Sequence, residues 1–186
     1  MQQDKLLMKV GGVPVVERVI RAASSSKLST VVLVYRSDAV MNIGRRLGVT
    51  CVANPDAGEG QSAAVRLGVH LSLPDSRGYM FLVGDQPFIQ AATINRLLDA
   101  WVKRPGSITV PLYSGRRGNP VIFPADLRNE LLALAGDTGG RVLLETFRDR
   151  VQPVDFCDAA AGIDIDTREE YDSILSIPID TIGKTD

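Results

Sequence analysis

The run Tyr79-Met80-Phe81-Leu82-Val83, closed by Gly84-Asp85-Gln86-Pro87-Phe88, constrains the fold of this chain more than any other stretch. A continuous apolar run of this length, bounded by turn residues, reads as a strand buried on both faces of a parallel sheet. Asp85 then stands at the strand's carboxyl end. Open α/β sheets bind ligands at that edge, and a carboxylate placed there can hold a metal ion that carries phosphates. Capping of the next turn or helix is the other use of an Asp in this position.

Helical and extended patterns alternate around the run. Val15, Val16, Val19, Ile20 and Ala23 fall at helical spacing, with Pro14 suited to a first turn. Residues 30–35 are β-branched or apolar and read as a buried strand, followed by a helix over 39–47, a strand over 49–53 and a helix over 61–71. Residues 91–103 carry an apolar stripe of Ile94, Leu97, Leu98 and Trp101. These alternations predict a parallel α/β sheet. Beyond it, 107–111 and 119–123 read as strands joined by the basic turn 114–118, with their prolines at edge or terminal positions. Helices are expected over 125–134 and 141–147, a strand over 151–156, and a short helix around Glu169, Glu170 and Tyr171. A chain of 186 residues suits one domain, here 1–176, with 177–186 as a tail lacking a clear period.

Composition narrows the partners. A net charge of -1, with 45% hydrophobic and 23% charged residues, marks an ordinary globular protein and gives no sign of nucleic-acid or acidic-membrane binding. Phosphate recognition must therefore be local. Cys51 and Cys157 lack metal-site spacing and read as reduced thiols, which with the absence of an apolar leader makes the cytoplasm the expected compartment. No apolar run is long enough to span a bilayer.

Three constellations can carry chemistry. Gly58, Gly60 and Ala63 match a dinucleotide fingerprint with Asp85 downstream, but Asn54 to Ala57 separate the first glycine from the strand end, where that motif needs its turn. Gly60, Gln61 and Ser62 still offer backbone donors at a helix N-terminus to an anion, or to a base and ribose, unless they form only a flexible loop and cap. Asp85, Asp164 and Asp166 form the second set. The Asp-Ile-Asp spacing puts 164 and 166 on one face of an extended segment, and a hard divalent cation needs only one or two carboxylates beside phosphate and water oxygens. Asp166 or Thr167 also reads as a helix N-cap. The third comprises the polar loops Gly115-Arg116-Arg117-Gly118-Asn119-Pro120 and Gly136-Asp137-Thr138-Gly139-Gly140-Arg141, whose guanidinium forks and glycines suit a second, anionic substrate. His70 stands alone and reads as structural.

Taken together, these stretches resemble the MobA-like nucleotidyltransferases, most closely the molybdenum cofactor cytidylyltransferases. The matching pieces are Lys5-Leu6-Leu7 with Gly12-Val13-Pro14, Asn54-Pro55 through Gly60-Gln61-Ser62, and Gly84-Asp85-Gln86-Pro87. They continue with Arg117-Gly118-Asn119-Pro120, Gly136-Asp137-Thr138-Gly139-Gly140-Arg141 and Asp164-Ile165-Asp166-Thr167. The resemblance implies a three-layer, Rossmann-like fold of the nucleotide-diphospho-sugar transferase type with a mixed, mostly parallel sheet. It implies that Asp85 binds magnesium or manganese, shared with Asp164 or Asp166, and that Lys5 neutralises nucleotide phosphates. Asn54, Gly60, Gln61, Ser62 and Gly84 then flank the nucleotide. Arg116, Arg117, Gly118, Asn119, Asp137, Gly139 and Arg141 face a pterin substrate.

The implied reaction is attack by the terminal phosphate of a molybdopterin-type cofactor on the α-phosphorus of CTP, with release of pyrophosphate. The product's implied recipient is a molybdenum hydroxylase. Three departures stand out. The family's opening strand and glycine-rich loop, L-A-A-G-x-S-x-R-M-G, would precede this chain, with Met1 at its methionine and Gln2 at its last glycine, so weaker catalysis and core packing are expected. Asn119 replaces the histidine of R-G-H-P, and Gly140 the alanine of G-D-x-G-A-R. Guanylyl or sugar-phosphate transfer, cofactor carriage without catalysis, and a dinucleotide-dependent oxidoreductase are the alternatives.

Overall fold

The computed structural model describes residues 4–56, 58, 60–157 and 159–175, so the tail 177–186 and the Met1 and Gln2 positions lie outside the described residues. After a 3-10 turn at Lys5–Leu7, a short antiparallel hairpin pairs β1 (Lys9–Val10) with β2 (Val13–Pro14). It leads into α1 (Val15–Ser24), whose apolar spacing buries Val15, Val16, Val19, Ile20 and Ala23. The expected alternation follows as β3 (Val32–Tyr35), α2 (Asp38–Arg46), β4 (Thr50–Ala53), α3 (Gln61–His70), β5 (Gly78–Phe81) and α4 (Ala91–Lys103). The second half comprises β6 (Ile108–Tyr113), β7 (Arg116–Arg117), β8 (Val121–Pro124), α5 (Arg128–Leu132), α6 (Arg141–Thr146), β9 (Val151–Phe156) and α7 (Arg168–Leu175). No helix among the described residues is long and apolar enough to cross a membrane.

Three layers result from simple alternation along the strands. Ile108, Val110, Val121 and Phe123 face α3, α5 and α6, where they meet Val69, Leu127, Leu131 and Leu143. Ile122, Tyr113 and Phe156 face the other way, against Leu97 and Trp101 of α4. Met80 joins that side, and Tyr79 and Phe81 the first.

The sheet departs from expectation at its centre. β5 pairs with β8, and the pair is antiparallel, with Phe81 opposite Val121 and Gly78 opposite Pro124. β8 is in turn antiparallel to β6, and β6 is parallel to β9. β5, β6 and β9 therefore share one direction, with β8 reversed between them, and the parallel partner expected for β5 is not its neighbour. β5 is half-buried rather than fully buried, and Leu82 and Val83 lie beyond its pairing. The parallel pair β3–β4 forms a separate sheet, with Leu33 opposite Cys51. Among the described residues β3 and β5 each have a strand partner on one edge only, which is why β3 is half-buried despite its wholly apolar sequence. α1 joins the two sheets. Val16 and Ile20 pack with Leu33 and Tyr35, while Val19 and Ala23 pack with Met80 and Leu82.

Gly140 is explained by packing. A Cβ there would lie 2.9 Å from Phe123 Cζ, and Phe123 is held in the core 5.9 Å from the Phe81 ring. Gly140→Ala is expected to lower unfolding free energy by about 1–3 kcal/mol in urea titration, the usual cost of overpacking. Trimming the ring in a Phe123→Leu background should remove most of that difference; an equal loss in both backgrounds would contradict the steric account.

Candidate active site

Asp85 lies just beyond β5, and several local devices fix what surrounds it. Its backbone carbonyl accepts a hydrogen bond from Ile165 N at 3.1 Å, which lays the 163–167 segment alongside. Ile165 is fully buried whereas Asp164 and Asp166 are exposed, the alternation expected of an extended segment. Arg18 of α1 clamps the loop by donating to Pro87 O at 2.7 Å and Val10 O at 3.4 Å. Gly84 lets the Lys5 turn approach: a Cβ there would sit 3.2 Å from Leu6 Cδ2. Asp4 caps that turn by accepting from Leu6 N at 3.1 Å.

Lys5 Nζ then donates to Asp85 Oδ2 at 2.7 Å and to Asp166 Oδ1 at 2.8 Å. Burial alone would lower the Lys5 pKa, but the hydrogen bonds and charges of Asp166 and Asp85 outweigh it and hold it above the ordinary lysine value. The two contacts differ in strength. The Asp85 side chain is 19% exposed and the Asp166 side chain 66%, so water screens the second pair toward the small value of a surface ion pair. Asp85 Oδ1 is buried with no hydrogen-bond partner, so the carboxylate keeps acceptor capacity that the protein does not use.

Asp166 is free to meet Lys5 because it is not the helix cap. Thr167 caps α7, its Oγ1 accepting from Glu170 N at 3.1 Å, while Glu170 accepts from Thr167 N and Asp166 N, both at 2.8 Å. Those backbone donors pull the Glu170 pKa below the usual range. Gln86, which sequence reasoning quoted only as part of a motif, is 2% exposed and hydrogen-bonds the Asp164 carboxyl. Its polar side chain directly after Asp85 was the available clue. Among the described residues no three His, Cys, Asp or Glu side chains form a ready-made metal cluster. The arrangement instead offers two carboxylates joined through Lys5, with Asp164 beside them, which fits a hard cation that completes its shell with phosphate and water oxygens.

A second group assembles at the start of α3. Gly60 is left-handed at φ 84°, and a Cβ there would lie 2.7 Å from Asp137 Cα and 2.8 Å from Gly136 O. The close approach that this glycine permits is to the chain's own 136–139 loop. A pyrophosphate cannot occupy that same space, and the strand before it ends at Ala53, so the dinucleotide turn is not built here. Asp137 Oδ1 accepts from Gln61 N at 3.2 Å, and Gly139 packs on the Gln61 side chain. The Asp137 loop thus lies against the start of α3, with Arg141 exposed at the start of α6. Ser62 is wholly buried with an unpartnered Oγ, and Asn54 carries an unpartnered buried Oδ1.

The arginine hairpin is the third part. Arg116 and Arg117 are exposed in β7. Tyr113 holds their loop: its hydroxyl donates to Asn119 O at 2.9 Å, and its ring packs against both Gly118 and Gly162. Gly162 opens the segment that carries Asp164 and Asp166, so the hairpin and the carboxylates share one support.

The Asp164 pKa is pushed up, chiefly by desolvation, with the fields of Asp85 and Asp166 adding to it and the Gln86 hydrogen bond and Lys5 opposing it. A carboxyl that holds its proton more tightly when folded adds stability at low pH and loses it as pH rises through the folded pKa. Asp164→Asn should therefore gain stability relative to the native protein as pH rises from about 4 through the aspartate range, in urea titrations at successive pH values. A pH-independent difference would contradict the shift.

Comparison with known proteins identifies the family. Residues 1–153 match the family model of the MobA-like NTP transferase domain. Rv0371c of Mycobacterium tuberculosis H37Rv, crystallised as a manganese complex, superposes with a TM-score of 0.77 at 26% identity, over 93% of this chain and 92% of that one. The purine catabolism protein PucB of Bacillus subtilis strain 168 is 28% identical over 94% of this chain and 89% of its own length. Nicotine blue oxidoreductase of Paenarthrobacter nicotinovorans is 35% identical over 99 residues, 49% of this chain and 48% of that protein, so the match spans about half of each.

Proposed function

Since the chain belongs to the MobA-like NTP transferase family, we propose that it transfers CMP from CTP to the terminal phosphate of a molybdopterin-type cofactor and releases pyrophosphate. The observation that carries this reading is the Lys5 bridge between Asp85 and Asp166 at the end of β5, with an acceptor atom of Asp85 left unused. Asp85 and Asp166, with Asp164 beside them, are the residues that would hold magnesium or manganese. Such an ion supplies charge neutralisation on the phosphates and polarises the phosphorus under attack.

The chain's own groups do the rest. Lys5 provides a mobile positive charge for the triphosphate. Asn54 Oδ1 and Ser62 Oγ, buried and unpartnered, are the polar atoms suited to a base or ribose at the start of α3. Arg116 and Arg117 supply guanidinium forks for an anionic acceptor, with Asn119 in the same loop. Little covalent help is required of the protein. An acceptor phosphate oxygen forms the new bond to the α-phosphorus, the bond to the bridging oxygen breaks, and pyrophosphate leaves with that electron pair. The product is the dinucleotide form of the cofactor, suited to delivery to a molybdenum hydroxylase.

The partial match to nicotine blue oxidoreductase favours a second reading, a dinucleotide-dependent reductase. Gly60 packed on Asp137 weighs against it. Pyrophosphate release from CTP with magnesium or manganese and the pterin cofactor separates the readings. GTP in place of CTP should release less pyrophosphate. Asp85→Asn is expected to reduce metal-dependent CTP affinity by at least about tenfold while leaving the urea midpoint nearly unchanged, since one charge-assisted site is lost at a partly open edge. CTP binding without turnover would support a carrier, and NAD(P) stabilisation with no CTP effect would support the reductase.

A further inference from the structure

Resting on the reading of Asp85 and Asp166 as the metal-holding pair, we propose that Lys5 and a divalent cation exclude one another from that pair. Metal entry and departure of Lys5 toward the triphosphate are then a single event.

Lys5 Nζ touches one oxygen of each carboxylate, at 2.7 and 2.8 Å, although the three residues come from separate parts of the chain. A compact ammonium in that position fills the space that an ion bridging the two carboxylates needs, and two cations cannot share it. Among the described ion pairs, Lys5 is the cation that meets each of these carboxylates. It is therefore the group that offsets their mutual repulsion before metal arrives.

Charge balance favours the exchange. The carboxylates carry two negative charges, which Lys5 offsets by half and a divalent ion offsets in full. The released ammonium then has no anionic partner until phosphate oxygens supply one. The architecture permits the movement. Leu6 and Leu7 are anchored among Val16, Ile20, Val40 and Ile43, so the turn stays in place. The Lys5 side chain is 35% exposed, so its four-carbon stem can swing away from the carboxylates without opening the core. Asp85 Oδ1 has no protein donor, so the carboxylate keeps acceptor capacity once Lys5 has left Oδ2.

The test is a titration of the whole chain with Mn2+ alone, followed by the free-ion signal in electron paramagnetic resonance. Lys5→Met should bind Mn2+ about tenfold more tightly than the native protein, the scale on which one adjacent charge changes occupancy of a carboxylate. Lys5→Gln repeats this with a polar side chain, and Lys5→Arg should not gain. With Mn2+ saturating, CTP should bind more weakly to Lys5→Met than to the native protein, which a merely structural lysine would not produce. Asp85→Asn in either background should abolish the tight Mn2+ signal and so assign it.

If Lys5→Met and Lys5→Gln gain no Mn2+ affinity while Asp85→Asn still abolishes binding, exclusion is overturned and the proposed function stands. If neither native nor Lys5 variants bind Mn2+ with or without CTP, both fall.

Discussion

The crevice depends on the compensation of two carboxylates by one ammonium. Asp85 arrives from the end of β5 and Asp166 from the segment before α7, and Lys5 meets both at hydrogen-bond distance. Without a cation between them the two like charges would repel, to an extent that water limits on the exposed Asp166 side. The fold spends several separate features on holding this geometry. The Ile165–Asp85 backbone bond sets the spacing, the Thr167–Glu170 capping box keeps the Asp166 side chain out of the helix cap, and Gly84 admits the Leu6 turn.

The start of α3 is organised by backbone proximity rather than charge. Gly60 lets the start of α3 and the 136–139 loop come together until only a glycine fits at its position. Asp137 then takes the Gln61 amide that a ligand anion would otherwise receive. The side-chain oxygens of Asn54 and Ser62 stay buried and unpartnered.

Much of this was legible in the residues, and the failures have physical causes. The limits of α4 at Ala91 and Lys103 followed from a strong apolar stripe. The Asp-Ile-Asp alternation placed a buried Ile165 between two exposed carboxylates. Strand direction was not legible: an apolar run is the same whether its neighbour is parallel or antiparallel, and β5 pairs antiparallel with β8. Nor was the half-burial of β3 and β5, since composition records how apolar a strand is and not whether a neighbour covers its edge. The choice between Asp166 and Thr167 as cap turned on Glu170 three residues after Thr167, which completes a capping box only from the threonine. Gln86 was hidden because its side chain acts on Asp164, and no pattern in the sequence joins those two positions. The Asp137 loop was paired with the arginine hairpin by its composition, whereas contact with α3 is a property of the folded chain.

The most direct test is anomalous diffraction from crystals grown with Mn2+ and CTP. The account predicts a manganese peak within coordination distance of the Asp85 carboxylate, with Lys5 Nζ withdrawn from the Asp85–Asp166 pair and turned to the triphosphate. A manganese ion bound elsewhere, with Lys5 still seated between both carboxylates, would contradict it.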